Sequence, residues 1–121
     1  MKRPTILIVE DEALVGLALA EKFEDSGYGV MGPFASVEET LQAVTASRPD
    51  AALLDMNLGY GDTSEPIAEW LASADIPFAF LTGYSELKPS KEWLKTKPFL
   101  SKPVDPDRAV AEAERLLTPI A

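Results

Sequence analysis

Three carboxylates, a threonine and a lysine stand where short hydrophobic runs stop. Glu10 and Asp11 follow Ile6-Leu7-Ile8-Val9, and Asp55 follows Ala51-Ala52-Leu53-Leu54. Thr82 follows Phe78-Ala79-Phe80-Leu81, and Lys102 comes just after Phe99-Leu100. Continuous apolar runs of this length are the pattern of strands buried on both faces. In a parallel sheet the ends of all four runs share one edge, where open α/β sheets bind their ligands. Three carboxylates converging there repel one another unless a cation balances them. A hard divalent cation such as Mg²⁺ takes one or two carboxylates, waters and a phosphate oxygen, and the backbone carbonyl of Asn57 could add a ligand. A lysine as point charge and a threonine as hydroxyl donor beside that metal suit a phosphoryl group. Plainer readings exist. An aspartate often marks a turn, and acids at a helix start are favoured by the helix dipole. The dipole accounts for one or two of Glu10, Asp11 and Glu12, and less well for acids that abut a buried strand.

The chain of 121 residues predicts one domain with 46% apolar residues, enough for a core of its own. It contains no cysteine and no histidine, which excludes disulfides, thiolate or zinc-histidine sites and histidine-dependent triads. The net charge of −9 argues against nucleic acid, because binding a phosphate backbone needs clustered Lys and Arg. No apolar stretch approaches a membrane span or the core of a signal peptide, so the expectation is a soluble, cytoplasmic protein with no membrane contact.

The elements that must carry these groups alternate between strand and helix. After the first strand, residues 13–26 read as a helix, with Leu14, Ala18, Val15, Leu19 and Phe23 in rows facing a core and Gly27 as the stop. Leu17 falls off those rows, which allows it partial exposure, and it is expected as core padding rather than as a docking residue. Tyr28 to Met31 form a second, weaker strand closed by Gly32-Pro33. Ser36 and Glu39 match a capping box ahead of a helix to about Ser47, with Val37, Leu41 and Val44 apolar. Asn57 to Asp62 read as a mobile loop of phosphate size rather than a tight hairpin turn. Thr63 or Ser64 caps the next helix, with Pro66 in its first turn and Ile67, Leu71 and Ala74 inward. Residues 84–97 predict only a short or frayed element, because Pro89 disfavours a helix through it and Glu92 to Leu94 allow a turn or so. Phe99-Leu100 is a short fifth strand, and Asp105-Pro106 open a last helix with Val110, Ala113 and Leu117 on its core face. A βα unit that recurs five times predicts a single α/β domain, a parallel sheet with helices on both faces and right-handed crossovers.

At this point the chain resembles the receiver domains of two-component response regulators, the CheY-like fold, from about Pro4 to Leu117. Ile-Leu-Ile-Val-Glu-Asp-Glu, Leu-Leu-Asp-Met-Asn-Leu, Leu-Thr-Gly and Phe-Leu-Ser-Lys-Pro-Val match in order. Each fragment is weak alone, whereas four in register on successive strand ends are a strong signal. The resemblance implies a doubly wound (βα)5 flavodoxin-like sheet of order 2-1-3-4-5 with a short or irregular fourth helix. It implies that Asp55 is the phosphoacceptor, that Glu10, Asp11, Asp55 and the Asn57 carbonyl hold Mg²⁺, and that Lys102 and Thr82 contact the phosphoryl oxygens. Phe99 matches the aromatic switch position that moves with Thr82, although an aromatic in a strand is ordinarily core. Pro77 to Tyr84, the Gly59-Tyr60-Gly61 loop and Pro89 resemble a stand-alone subgroup called FATGUY, with two departures from its signature: Leu81 stands in place of Ala, and Tyr84 follows Gly83 directly with no variable residue between.

The resemblance further implies a histidine kinase or histidine phosphotransfer protein as phosphate donor and an unidentified downstream protein target. The last helix ends near the final residue, so residues 1–121 are expected to be one receiver domain without an output domain, a monomer or weak dimer that signals by a changed surface. It would be no enzyme beyond its own phosphorylation and dephosphorylation. A rival reading is a Mg²⁺-dependent phosphohydrolase working through an aspartyl-phosphate. Asn57 stands where such an enzyme needs a second carboxylate, and no insertion encloses a substrate. A pseudo-receiver that only binds partners is the third reading, against which the intact set of site residues speaks.

Overall fold

Each apolar run forms a strand of one parallel sheet, in a computed structural model that describes residues 3–59, 62–83 and 91–118. The strands are β1 (Thr5–Val9), β2 (Gly29–Phe34), β3 (Ala51–Asp55), β4 (Phe78–Thr82) and β5 (Phe99–Ser101). Their order is β2-β1-β3-β4-β5, as the resemblance implied, and all four pairings are parallel. The helices are α1 (Ala13–Asp25), α2 (Val37–Ala46), α3 (Glu65–Ser73) and α4 (Pro106–Leu117), with a short 3₁₀ turn at Glu92–Thr96. No helix among the described residues is long and apolar enough to cross a membrane.

The continuous hydrophobicity of the strands has a direct cause. Successive side chains point to opposite faces, so a strand covered on both sides must be apolar throughout. Leu7, Val9, Ala52, Leu54, Phe78 and Phe80 join the core under α2 and α3. Ile6, Ile8, Ala51, Leu53, Ala79 and Leu81 join the core under α1 and α4. The Ser36 hydroxyl accepts the Glu39 N–H at 3.2 Å, the serine half of the expected capping box, and the Glu39 carboxylate accepts the Ser36 hydroxyl at 3.1 Å. Asp105 caps α4 by accepting the Asp107 N–H at 2.9 Å, with Pro106 in the first turn. At α3 the Ser64 hydroxyl makes no cap bond, and Thr63 Oγ1 accepts the Glu65 N–H at 3.4 Å.

Four expectations are corrected. β2 does not stop at Gly32-Pro33 but runs to Phe34 through a bulge, so that Leu7 pairs with Met31 and Val9 with Phe34. The face of α1 against the sheet is Gly16, Leu19, Ala20 and Phe23, whereas Leu14 is 83% exposed and Ala18 also faces outward. Both rows have helical spacing, and the row that includes the small residues packs closest to the strands. Leu17, at 58% exposure, is not core padding. The two limbs of the loop after β3 are tied to each other, while its residues 60–61 lie outside the described residues. Leu58 N–H donates to the Asp62 carbonyl at 3.0 Å, Ser64 N–H to that of Met56 at 3.2 Å, and Asn57 pairs antiparallel with Thr63. Those bonds make its two limbs a small hairpin. Of the segment 84–97, residues 91–97 carry the expected short turn, and 84–90, including Pro89, lie outside the described residues.

Candidate functional site

The edge at which β1, β3, β4 and β5 end gathers the predicted groups. Asp55 is the last residue of β3 and 1% exposed, and Glu10 directly follows β1 and is 2% exposed. Glu10 stays in line with the sheet because its N–H donates to the Phe34 carbonyl at 2.9 Å. Lys102 follows β5 and is fixed by its N–H, which donates to the Thr82 carbonyl at 2.7 Å. Its ammonium then reaches across the sheet edge, 2.8 Å from Asp55 Oδ2 and 3.2 Å from Glu10 Oε1. The Asn57 N–H donates to Asp55 Oδ1 at 3.3 Å, and Asn57 Oδ1 accepts the Gly59 N–H at 3.0 Å.

Asp11 is exposed at the mouth, and one carboxylate oxygen from each of Glu10, Asp11 and Asp55 lies within 4.8 Å of the others. Gly59, at φ +83°, turns the loop toward this group, and a Cβ there would lie 3.4 Å from Asp11 Oδ2. The other Glu10 oxygen, Oε2, is buried and has no hydrogen-bond partner among the described residues. A buried carboxylate oxygen left unmatched is costly, and it is what a cation ligand leaves when the cation is away. The donor set of Glu10, Asp11 and Asp55 therefore fits a small hard divalent ion. The structure does not assign the Asn57 carbonyl to it.

Electrostatics follow from the burial. Loss of solvent pushes Asp55 up to about 8, with the charge of Glu10 adding to the shift and the Lys102 ammonium opposing it. Burial likewise raises Glu10, against the pull of the Lys102 ammonium. At Lys102 burial disfavours the charge, but hydrogen bonds and attraction to Asp55 and Glu10 outweigh it and hold the ammonium above the ordinary lysine range. Two buried carboxylates share one lysine, so burial favours the protonated form at the pair.

Thr82 ends β4 half-buried, opposite Ser101 in the sheet register. Phe99 pairs with Phe80 and so shares a face with Thr82, since strand side chains alternate. It is 63% exposed, which overturns the reading of Phe99 as an ordinary core aromatic. The sequence reading assigned no role to Glu12. Its carboxylate lies 3.5 Å from the Lys102 ammonium at the rim, and its place beside the acid pair was the available signal. Also unforeseen is a groove of about 560 Å³ that opens from this rim between α1 and the β5–α4 connection, lined by Glu12, Leu14, Val15, Lys102, Pro103 and Val104.

Comparison with known proteins gives consistent findings. The family model for the response regulator receiver domain matches residues 6–114. An 81-residue stretch is 28% identical to the transcriptional regulatory protein PdtaR of Mycobacterium tuberculosis (strain CDC 1551 / Oshkosh), covering 67% of this chain and 40% of that protein. The chain thus spans well under half of that relative. The solution structure of SdrG from Sphingomonas melonis Fr1 is 37% identical, covers 96% of this chain and 98% of that one, and superposes with a TM-score of 0.80. The signal receiver domain of a modulated diguanylate cyclase from Desulfovibrio desulfuricans G20 is 30% identical over 96% of this chain and 94% of that one, with a TM-score of 0.77.

Proposed function

The chain belongs to the response regulator receiver domain family of two-component signalling, and from that premise we propose that Asp55 is its phosphoacceptor. The observation that carries this reading is the Lys102 ammonium held between two buried carboxylates, with Asp11 and an unmatched Glu10 oxygen beside them. The phosphate donor is a phosphohistidine on a histidine kinase or a histidine phosphotransfer protein. An Asp55 oxygen attacks the phosphorus, the P–N bond breaks, and its electron pair leaves with the imidazole, which takes up a proton. A Mg²⁺ ion held by Glu10, Asp11 and Asp55 would supply the positive charge that offsets the ionised acids and the transferring oxygens.

The protein's own residues do the rest. Asp55 must give up the proton that burial favours before it can act as a nucleophile, and Lys102 at 2.8 Å stabilises the ionised form. Lys102 then pairs with a phosphoryl oxygen, and the Thr82 hydroxyl donates to another. Phe99, on the same face as Thr82, is the aromatic that repacks when Thr82 is drawn inward, and the changed surface is read by a further protein. Leu14 and Val15 line a groove shared with Glu12 and Lys102, so an apolar helix of the phosphate donor seated there would deliver its histidine to Asp55. The motif from Pro77 to Tyr84 supports placement in the FATGUY subgroup.

The test is incubation with Mg²⁺ and acetyl phosphate, with Asp55→Asn as control. An acid-stable, base-labile phosphate that needs Mg²⁺ and is lost in the variant supports the proposal. Rapid multiple turnover of the donor would favour the phosphohydrolase instead. Failure of both acetyl phosphate and beryllofluoride to bind would refute receiver chemistry at Asp55.

A further inference from the structure

A glycine inside a helix is weaker than alanine, so its presence on the packed face of α1 calls for a steric reason. Gly16 has one. A Cβ built on it would lie 2.8 Å from Pro33 Cβ and 2.9 Å from Pro33 Cγ, far inside contact distance, and 3.6 Å from Glu10 Cβ. The Pro33 ring is stiff and lies in the bulge of β2. Gly32, at φ +99°, lies in that bulge, where a Cβ would come within 2.6 Å of the Ile8 carbonyl oxygen and no side chain fits. The same bulge brings the Phe34 carbonyl to the Glu10 N–H at 2.9 Å. On the other side, the Gly16 N–H closes the first turn of α1 on the Glu12 carbonyl at 3.0 Å. The acidic turn from Glu10 to Glu12 is therefore held at both ends by one contact region.

We propose that Gly16, seated on the Pro33 ring, is a positioning residue for the cation site: it sets how closely the first turn of α1, and with it the carboxylates of Glu10 and Asp11, approaches Asp55. This rests on the reading of Glu10, Asp11 and Asp55 as metal ligands. A methyl group at Gly16 forces α1 away from Pro33, because neither backbone nor ring can yield cheaply. The acids then leave the spacing that keeps their oxygens within 4.8 Å. Residues that orient metal ligands typically change affinity by about 10–100-fold when altered.

The experiment is an Mg²⁺ titration of wild type, Gly16→Ala and Phe23→Leu, followed through the amide resonances of Glu10 to Glu12. Phe23→Leu controls for loosening of α1 remote from the acids. The expected result is an Mg²⁺ Kd raised about tenfold or more in Gly16→Ala and unchanged in Phe23→Leu. Phosphorylation of Gly16→Ala by acetyl phosphate should recover when Mg²⁺ is raised to saturation. An affinity in Gly16→Ala within about twofold of wild type would overturn the proposal, since the altered orientation should cost far more. Equal weakening in Phe23→Leu would overturn it too. Should Gly16→Ala not fold, Pro33→Ala, which removes the ring from the seat, must show the weakened affinity, and unchanged affinity there refutes the idea. If wild type itself binds no Mg²⁺, the metal reading fails with it, an outcome distinct from wild type and Gly16→Ala binding alike.

Discussion

Replacing Asp55 by asparagine should stabilise the metal-free protein, and more so at high pH. Asp55 is 1% exposed, and burial lifts its folded-state pKa from 3.8 to about 8. A carboxyl whose folded pKa is raised contributes stability that is fully present below its unfolded pKa and is lost as pH rises through the folded one. The window is therefore about pH 4 to 8, and stability falls with pH across it. From pH 5 to about 7 the folded state holds nearly one proton more than the unfolded chain, falling to about half a proton at pH 8. At about 1.4 kcal/mol per pH unit, the ceiling on the loss is about 4 kcal/mol. Glu10 shares the proton and Lys102 can relax, so the expected change is about 1–3 kcal/mol, within the usual range for single substitutions. The introduced amide keeps a buried polar group of similar shape, and Lys102 retains Glu10 at 3.2 Å. The assay is urea unfolding of both proteins in EDTA at pH 5, 6, 7 and 8. Titrations elsewhere cancel in the difference between the two proteins. That difference should be small at pH 5 and grow in favour of the variant toward pH 8. A difference constant to within about 0.5 kcal/mol would refute the argument that burial protonates Asp55. Adding Mg²⁺ at ten times its Kd should restore about 1.4 kcal/mol to wild type at pH 8, with little effect on the variant.

The same geometry sets four other expected outcomes. Lys102→Met leaves Glu10 and Asp55 buried without their cation and should cost about 3 kcal/mol near pH 8, less at pH 5, by urea unfolding. Phe23→Ala, at a fully buried side chain, should cost about 3–5 kcal/mol without changing the Mg²⁺ affinity of the remaining folded protein. Ser36→Ala removes the hydroxyl of the capping box and should cost about 1 kcal/mol in the same measurement. Leu14→Asp should slow phosphate transfer from a histidine phosphotransfer protein by about tenfold or more, the loss of a central apolar anchor, while leaving acetyl phosphate kinetics unchanged.

The strands, and the polar residues that end them, are legible in the amino-acid order alone. Strands buried on both faces must be apolar throughout, so Ile6 to Val9, Ala51 to Leu54 and Phe78 to Leu81 announce themselves, and the polar residues that end them must converge once the strands are parallel. Caps are equally local, which is why Ser36 with Glu39 and Asp105 with Pro106 were legible. The rotation of α1 was not. Leu14 and Phe23 both fit helical rows, and only the sheet beneath α1 selects the row with Gly16, whose missing Cβ admits Pro33. The course of β2 through Gly32-Pro33 was hidden for a related reason: a glycine and a proline end a strand in general, and continue one only where the partner strand accepts a bulge. Phe99 reads as core in any strand, and its exposure depends on which elements cover β5. The bridging of Glu10 and Asp55 by Lys102, and the raised carboxyl pKa values that accompany it, depend on distances between residues 92 and 47 positions apart in the chain. Such distances exist only after the strands have paired, and so tertiary structure alone decides the electrostatics on which the chemistry turns.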